Sequence, residues 1–147
     1  MEGARLRDAL TVEDRLDIAE LLNRYSWASD EREYGQLAGC FSEHAVFQIA
    51  LAGSPEVQEI RGRSSIVDWI RERRRSQGGQ QRRHTGSGLV VESYLGGEAT
   101  VRSYVTVMLA ESGRLSVATT GWYRDLVRKV DGRWVIATRF VHLDVVT

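Results

Sequence analysis

Only one cysteine, Cys40, and one proline, Pro55, occur among the 147 residues. A lone cysteine cannot close an intrachain disulfide, so a cross-linked secreted scaffold is excluded and a reducing cytoplasm is the expected compartment. No apolar run approaches the length of a membrane span, and the opening "MEGARLRDAL" has no apolar core of the kind a signal peptide needs. The formal net charge is zero, which removes the global electrostatic case for a nucleic-acid partner. Cofactor motifs are missing too. The "GSG" of "HTGSGLV" lacks the six-residue spacing of a dinucleotide fingerprint, no glycine-rich loop carries a phosphate-binding lysine, and "HTGS" is not a nucleophile elbow. Neither a cofactor nor a metal is expected, and the chemistry that remains is unaided acid and base catalysis. Lysine is equally scarce: Lys129 stands alone beside nineteen arginines, a bias read as genomic composition.

What is present has the balance of a soluble globular chain, with 42% hydrophobic and 27% charged residues, and the length suits a single domain over 1–147. Thr11 and Asp14 form a capping arrangement ahead of Ile18, Leu21, Leu22, Tyr25 and Ala28, which recur at helical spacing and predict a helix over 12–28. A shorter helix is expected over 32–41. Phe47, Ile49 and Leu51 alternate as a strand ended by "AGSPE", and Ser64 is the expected cap of a third helix carrying Ile66, Val67, Trp69 and Ile70. After "SQGGQQ" the pattern changes to long strands at 83–94, 98–110, 115–129 and 133–145, separated by "LGGE", "AESGR" and "VDGR". Helices followed by an antiparallel meander make an α+β fold. Strands this long curl, and helices on a strongly curved, mostly antiparallel sheet give a cone-shaped barrel with a cavity for a small molecule.

Three histidines are candidates for a base. His44 reads as a solvated side chain at a helix-to-strand junction, and His142 with Asp144 supplies too few ligands for a metal. His84 opens "HTGSGLVVE", where Gly86 and Gly88 share its face and leave space above the sheet. The alternative is a structural histidine at a barrel bend. Asp30, at the end of the first helix, is the candidate carboxylate to orient His84, with a solvated helix end as its alternative. Tyr25 lies on the buried face of that helix. A regular helix points residues five apart roughly 140° away from each other, so Tyr25 and Asp30 cannot share one face of it.

Four segments, "RYSWASDEREYGQLAGCFSEHAVF", "IRGRSSIVDWI", "RRHTGS" and "GWYRDLVRKVDGRWVIATR", resemble in order and spacing the SnoaL-like branch of the nuclear transport factor 2-like fold, from about Thr11 to Val145. Its dehydratases, scytalone dehydratase and bile acid 7α-dehydratase among them, pair an aspartate ending the first helix with a histidine opening the first long strand. Asp30 and His84 fall on those positions, and Tyr25 and Arg139 match a tyrosine and an arginine of the bile acid enzyme. The resemblance implies that the helix ends or widens before Asp30, turning the carboxylate toward His84. It implies a dehydratase-type lyase or isomerase for a hydrophobic carbonyl compound such as a polyketide, steroid or terpenoid. His84, Asp30 and Tyr25 would be catalytic, and Arg139, Trp27, Ser103 and Thr119 would bind substrate. The alternatives are a binding protein without chemistry and an accessory subunit, such as a dioxygenase small subunit.

A homodimer or homotrimer is expected from the apolar alternation of Val105, Val107 and Leu109, which leaves a second sheet face to cover. The arginines of "IRERRRSQGGQQRRH" admit two readings: a solvated helix end that complements the helix dipole, or a cationic rim for an anionic group with "SQGGQQ" as a lid.

Overall fold

The computed structural model describes residues 9–146. Most of the charged opening stretch, on which the absence of a signal peptide is expected, lies outside the described residues. Helix α1 (Val12–Asp30) begins with the expected capping box: Asp14 N–H donates to Thr11 Oγ1 at 3.0 Å, and Thr11 N–H donates to the Asp14 carboxylate at 3.3 Å. It buries Ile18, Leu21, Tyr25 and Ala28, the stripe that the spacing sets. Helix α2 spans only Tyr34–Gly39, because strand β1 (Phe41–Leu51) starts six residues earlier than its alternation at Phe47 suggests. That places His44 inside a strand, exposed.

Strand β2 (Val57–Arg61) is absent from the sequence reading. It is short and exposed on nearly every residue, so it has almost no burial pattern to read, and its partner β1 defines it. Helix α3 (Arg63–Ser76) is capped by Gly62 rather than Ser64. Gly62 has a φ of 94°, donates its N–H to Ala45 O at 2.8 Å and accepts from Ile66, so the turn out of β2 sets the helix start without a side-chain cap.

Strands β3 (Gln81–Leu95), β4 (Glu98–Glu111), β5 (Arg114–Val130) and β6 (Arg133–Val146) form the expected meander with boundaries shifted by one or two residues. The sheet order is β2-β1-β6-β5-β4-β3, antiparallel except for β1 beside β6. Together these elements make an α+β fold with helices packed on a curved, mostly antiparallel six-stranded sheet. The core lies between them: Ile18, Leu21 and Leu37 from α1 and α2 and Ile66 and Ile70 from α3 meet Phe41, Val101, Val105, Val127 and Ile136 of the sheet.

Interruptions of the ladders bend the sheet. In β3 the register shifts between Ser87 and Val90, and at Gly88, with a φ of 64°, an added Cβ would come within 2.6 Å of the Tyr104 ring. Gly88 therefore makes room for an exposed tyrosine of β4, which corrects the reading that it clears space for a ligand. At Gly121 an added Cβ would meet His142 O at 1.9 Å, where β5 and β6 shift register. Among the described residues no helix is long and apolar enough to cross a membrane.

Candidate active site

Asp30 ends α1 and His84 is the fourth residue of β3, and the packing of the helix along the strand brings them together. Asp30 Oδ1 lies 2.5 Å from His84 Nδ1, and Asp30 Oδ2 accepts the backbone N–H of His84 at 2.7 Å. The side chains are 4% and 11% exposed. With Nδ1 donating to the carboxylate, Nε2 is the ring nitrogen left for a ligand.

The helix does not end or widen before Asp30, as the resemblance implies. It stays helical through Asp30, with Glu31 N–H donating to Trp27 O at 2.9 Å. The irregularity comes afterwards: Arg32 adopts a φ of 59° and Glu33 N–H reaches back to Ala28 O, as in a Schellman ending. No distortion is needed because the two side chains have separate tasks. Tyr25 points into the space between helices and sheet, and Asp30 points sideways at β3.

A cavity of about 660 Å³ occupies that space. His84, Tyr25, Tyr123 and Thr119 line it together with apolar side chains that include Phe47, Trp69, Val105 and Val107. A few polar groups converging in an apolar hollow is the usual form of a small-molecule site. On the outer side of the pair a smaller hollow of about 270 Å³ is lined by Trp27, Asp30, Arg83 and His84. Trp27 is therefore placed outside the main cavity, 66% exposed, with the Arg83 guanidinium 6.0 Å from its ring centroid.

Beneath the cavity floor Arg139 is fully buried and donates from Nε and Nη2 to the two oxygens of Asp125 at 2.7 and 2.9 Å. The two residues are register partners on β5 and β6. The Arg139 guanidinium packs against both tyrosines, 4.2 Å from the Tyr25 ring centroid and 3.8 Å from that of Tyr123. Burial works to lower its pKa, yet the Asp125 carboxylate holds it above the usual range. Burial pushes the Tyr25 hydroxyl up, against the pull of Arg139 and Arg74, so Tyr25 is a neutral hydrogen-bond donor at ordinary pH. Arg139 does not line the cavity and acts on it through the tyrosines. Ser103 is also buried and off the cavity wall, whereas Thr119 lines it and donates its hydroxyl to Val145 O.

Sequence reasoning missed Tyr123 and Asp125, and it read the cavity-facing Arg74 and Arg82 only as members of an arginine cluster, either a solvated helix end or a cationic rim. Signals existed for two of them. Asp125 follows Tyr123 by two residues on the same strand face, and Arg74 continues the stripe Ile66 to Ile70 at helical spacing. Among the described residues no group of three or more potential ligands could hold a metal.

The model of the SnoaL-like domain matches residues 10–140. The chain belongs to the SnoaL-like domain family. No protein of curated function matches it in sequence. Among solved structures of similar shape is a variant of Rv3472, a protein of unknown function from Mycobacterium tuberculosis, with 30% identity over 89% of this chain and 72% of that one and a TM-score of 0.76. The beta subunit assigned to an aromatic-ring-hydroxylating dioxygenase from Novosphingobium aromaticivorans shares 15% identity over 99% and 94% of the two chains, with a TM-score of 0.78. A Catenulispora acidiphila protein in complex with S-DNPA shares 23% identity over 90% and 95%, with a TM-score of 0.77. At these last two identities the likeness is one of fold.

Proposed function

We propose that this SnoaL-like protein is a cofactor-independent lyase or isomerase acting on a mostly apolar carbonyl compound. The observation that carries the reading is the 2.5 Å contact of Asp30 Oδ1 with His84 Nδ1 in the wall of a cavity that Tyr25 also lines. His84 Nε2 removes a proton from a carbon made acidic by a carbonyl, either α to it or vinylogous. Asp30 fixes the tautomer and stabilises the imidazolium that forms. Tyr25 donates a hydrogen bond to the developing enolate oxygen, and its neighbour Arg139 strengthens that donor without touching the substrate. The imidazolium then returns its proton to a different carbon, giving an isomer, or to a β-hydroxyl that leaves as water, giving the dehydrated product.

The decisive experiment needs no knowledge of the natural substrate. The protein is incubated in heavy water with a panel of hydrophobic ketones, enones and β-hydroxy ketones, and deuterium uptake at the acidic carbon is followed by mass spectrometry. Exchange by the wild type and its loss by about 10² to 10⁴ in His84→Ala supports the reading. Exchange that is equal in the two proteins refutes His84 as the base. Ligand binding with no exchange in any case would favour a binding protein.

A further inference from the structure

Six arginines occupy positions 71 to 83, and they divide into two sets. Arg71, Arg75 and Arg83 point outward and each has an acid: Asp68 at 2.9 Å, Glu72 at 2.8 Å, and Glu31. Arg73, Arg74 and Arg82 line the main cavity, and among the described residues none has a carboxylate within ion-pair distance. Among the described residues Glu56 is the one acid on the cavity wall, and it is exposed and paired with none of them.

Two of the three cations are held in place by neutral groups. Arg74, 9% exposed, donates to Ser29 O at 3.2 Å, to Ser29 Oγ at 2.5 Å and to Gln77 Oε1 at 3.3 Å. The Arg73 guanidinium lies over the Trp69 ring, 4.3 Å from its centroid. Among the described residues Arg82 makes no side-chain hydrogen bond, and its Nε is buried without a partner. Burial first, and neighbouring arginines second, push the pKa of both Arg73 and Arg82 down, with Asp30 pulling that of Arg82 the other way. Nor is the connecting loop a free lid: Arg32 donates to Gly78 O at 3.0 Å and Gln80 to Glu111 at 3.2 Å, so the cluster sits on a tied segment.

Resting on the reading of this cavity as the small-molecule site, we infer that Arg73, Arg74 and Arg82 form a subsite for an anionic group on an otherwise apolar ligand. A carboxylate, sulfonate or phosphate supplies the charge-assisted acceptors that Arg82 Nε and the exposed faces of its neighbours lack. Arg82 precedes His84 by two residues on the same face of β3, a step of about 7 Å along the strand. The anion therefore sits a few bonds from the carbon that His84 would deprotonate, and the substrate class narrows to apolar carbonyl compounds with an acidic group near one end.

Two fluorescent probes with a common aromatic frame separate the charge from the cavity: 8-anilinonaphthalene-1-sulfonate, an anion, and N-phenyl-1-naphthylamine, which is neutral. Both are titrated into the full chain and into Arg82→Gln, Arg73→Gln and, as an outward-facing control, Arg71→Gln. Arg74 is left intact because it also ties α3 to α1. The expected result is a loss of roughly 10-fold in sulfonate affinity in Arg82→Gln and Arg73→Gln, with the neutral probe changed less than about 2-fold and Arg71→Gln near wild type. Sulfonate affinity unaltered by either variant, or equally reduced in Arg71→Gln, overturns the subsite while neutral-probe binding keeps the cavity. Arginine-dependent sulfonate binding in a protein that catalyses no deuterium exchange upholds the subsite and removes the catalytic reading. Binding of neither probe overturns both.

Discussion

Asp30 grips His84 at two points, accepting its backbone N–H at 2.7 Å with one oxygen and facing its ring Nδ1 at 2.5 Å with the other. The ring and the strand that carries it are thereby positioned by a single carboxylate. Asn at position 30 keeps one acceptor and loses the charge. Asp30→Asn is therefore expected to retain the fold while exchange activity falls by an amount comparable to His84→Ala, about 10² or more, because the imidazolium loses its counter-charge and the tautomer is no longer enforced. Circular dichroism and deuterium exchange measured on the same sample decide this. A variant with full activity would show that Asp30 serves the strand alone.

That pairing was one candidate in the sequence, with a solvated helix end as the alternative for Asp30, and only the family resemblance favoured it. The periodicity of α1 revealed Tyr25 as a core residue, but the same 100° rule set Asp30 on another face, and nothing local says what lies there. The answer is β3, fifty-four residues further on, whose register against the helix no local pattern encodes. The long strands were readable because their alternation runs over a dozen residues or more. β2 was not, being five residues long and exposed on four of them. Arg139 was singled out while Asp125 was not, since their meeting depends on the β5–β6 register after a shift at Leu126.

The Asp125–Arg139 pair has no exposed surface and is bidentate. Removing one partner leaves an uncompensated buried charge, so Asp125→Asn is expected to cost about 3–5 kcal/mol, a large part of an ordinary domain's stability. Replacing both with apolar residues of similar volume, Asp125→Leu with Arg139→Met, is expected to cost less than Asp125→Asn alone. Urea unfolding of the three proteins measures the difference. If the double variant is the least stable, the packing of the guanidinium between Tyr25 and Tyr123 matters more than the ion pair.

Two glycines offer a contrast in what a single methyl costs. At Gly121 the obstacle is backbone, His142 O at 1.9 Å, and neither strand can yield without breaking its ladder. At Gly88 the obstacle is the side chain of Tyr104, which is 61% exposed and free to turn away. What remains at Gly88 is the positive φ, worth about 1 kcal/mol. Gly121→Ala is expected to be the more damaging by at least 2 kcal/mol in urea midpoints scaled by a common slope. Equal losses would indicate that β5 and β6 can slide apart at the bulge.

At the start of α1, Asp14 ties the helix to the end of the meander. One oxygen accepts from Lys129 Nζ and from Trp134 Nε1, each at 3.1 Å, while the other accepts from Thr11 N–H. Partial burial alone would raise its pKa, but the hydrogen bonds from Trp134, Lys129 and Thr11 outweigh it and bring the carboxyl from 3.8 down to about 2. A folded-state pKa below the unfolded one means that the unfolded chain takes up the proton more readily. The stabilisation is therefore complete above about pH 4 and is lost as the pH falls toward 2. Thermal midpoints measured across that window should drop in the wild type, and should drop less steeply in Asp14→Ala, which starts from a lower value because the carboxylate's bonds are gone. Asp14→Ala keeps the bond from its own backbone N–H to Thr11 Oγ1 and loses the three bonds the carboxylate accepts, each worth about 1 kcal/mol, so both the offset at neutral pH and the change in slope are measurable. Parallel curves for the two proteins would transfer the acid sensitivity to other carboxylates and leave Asp14 with the cap alone.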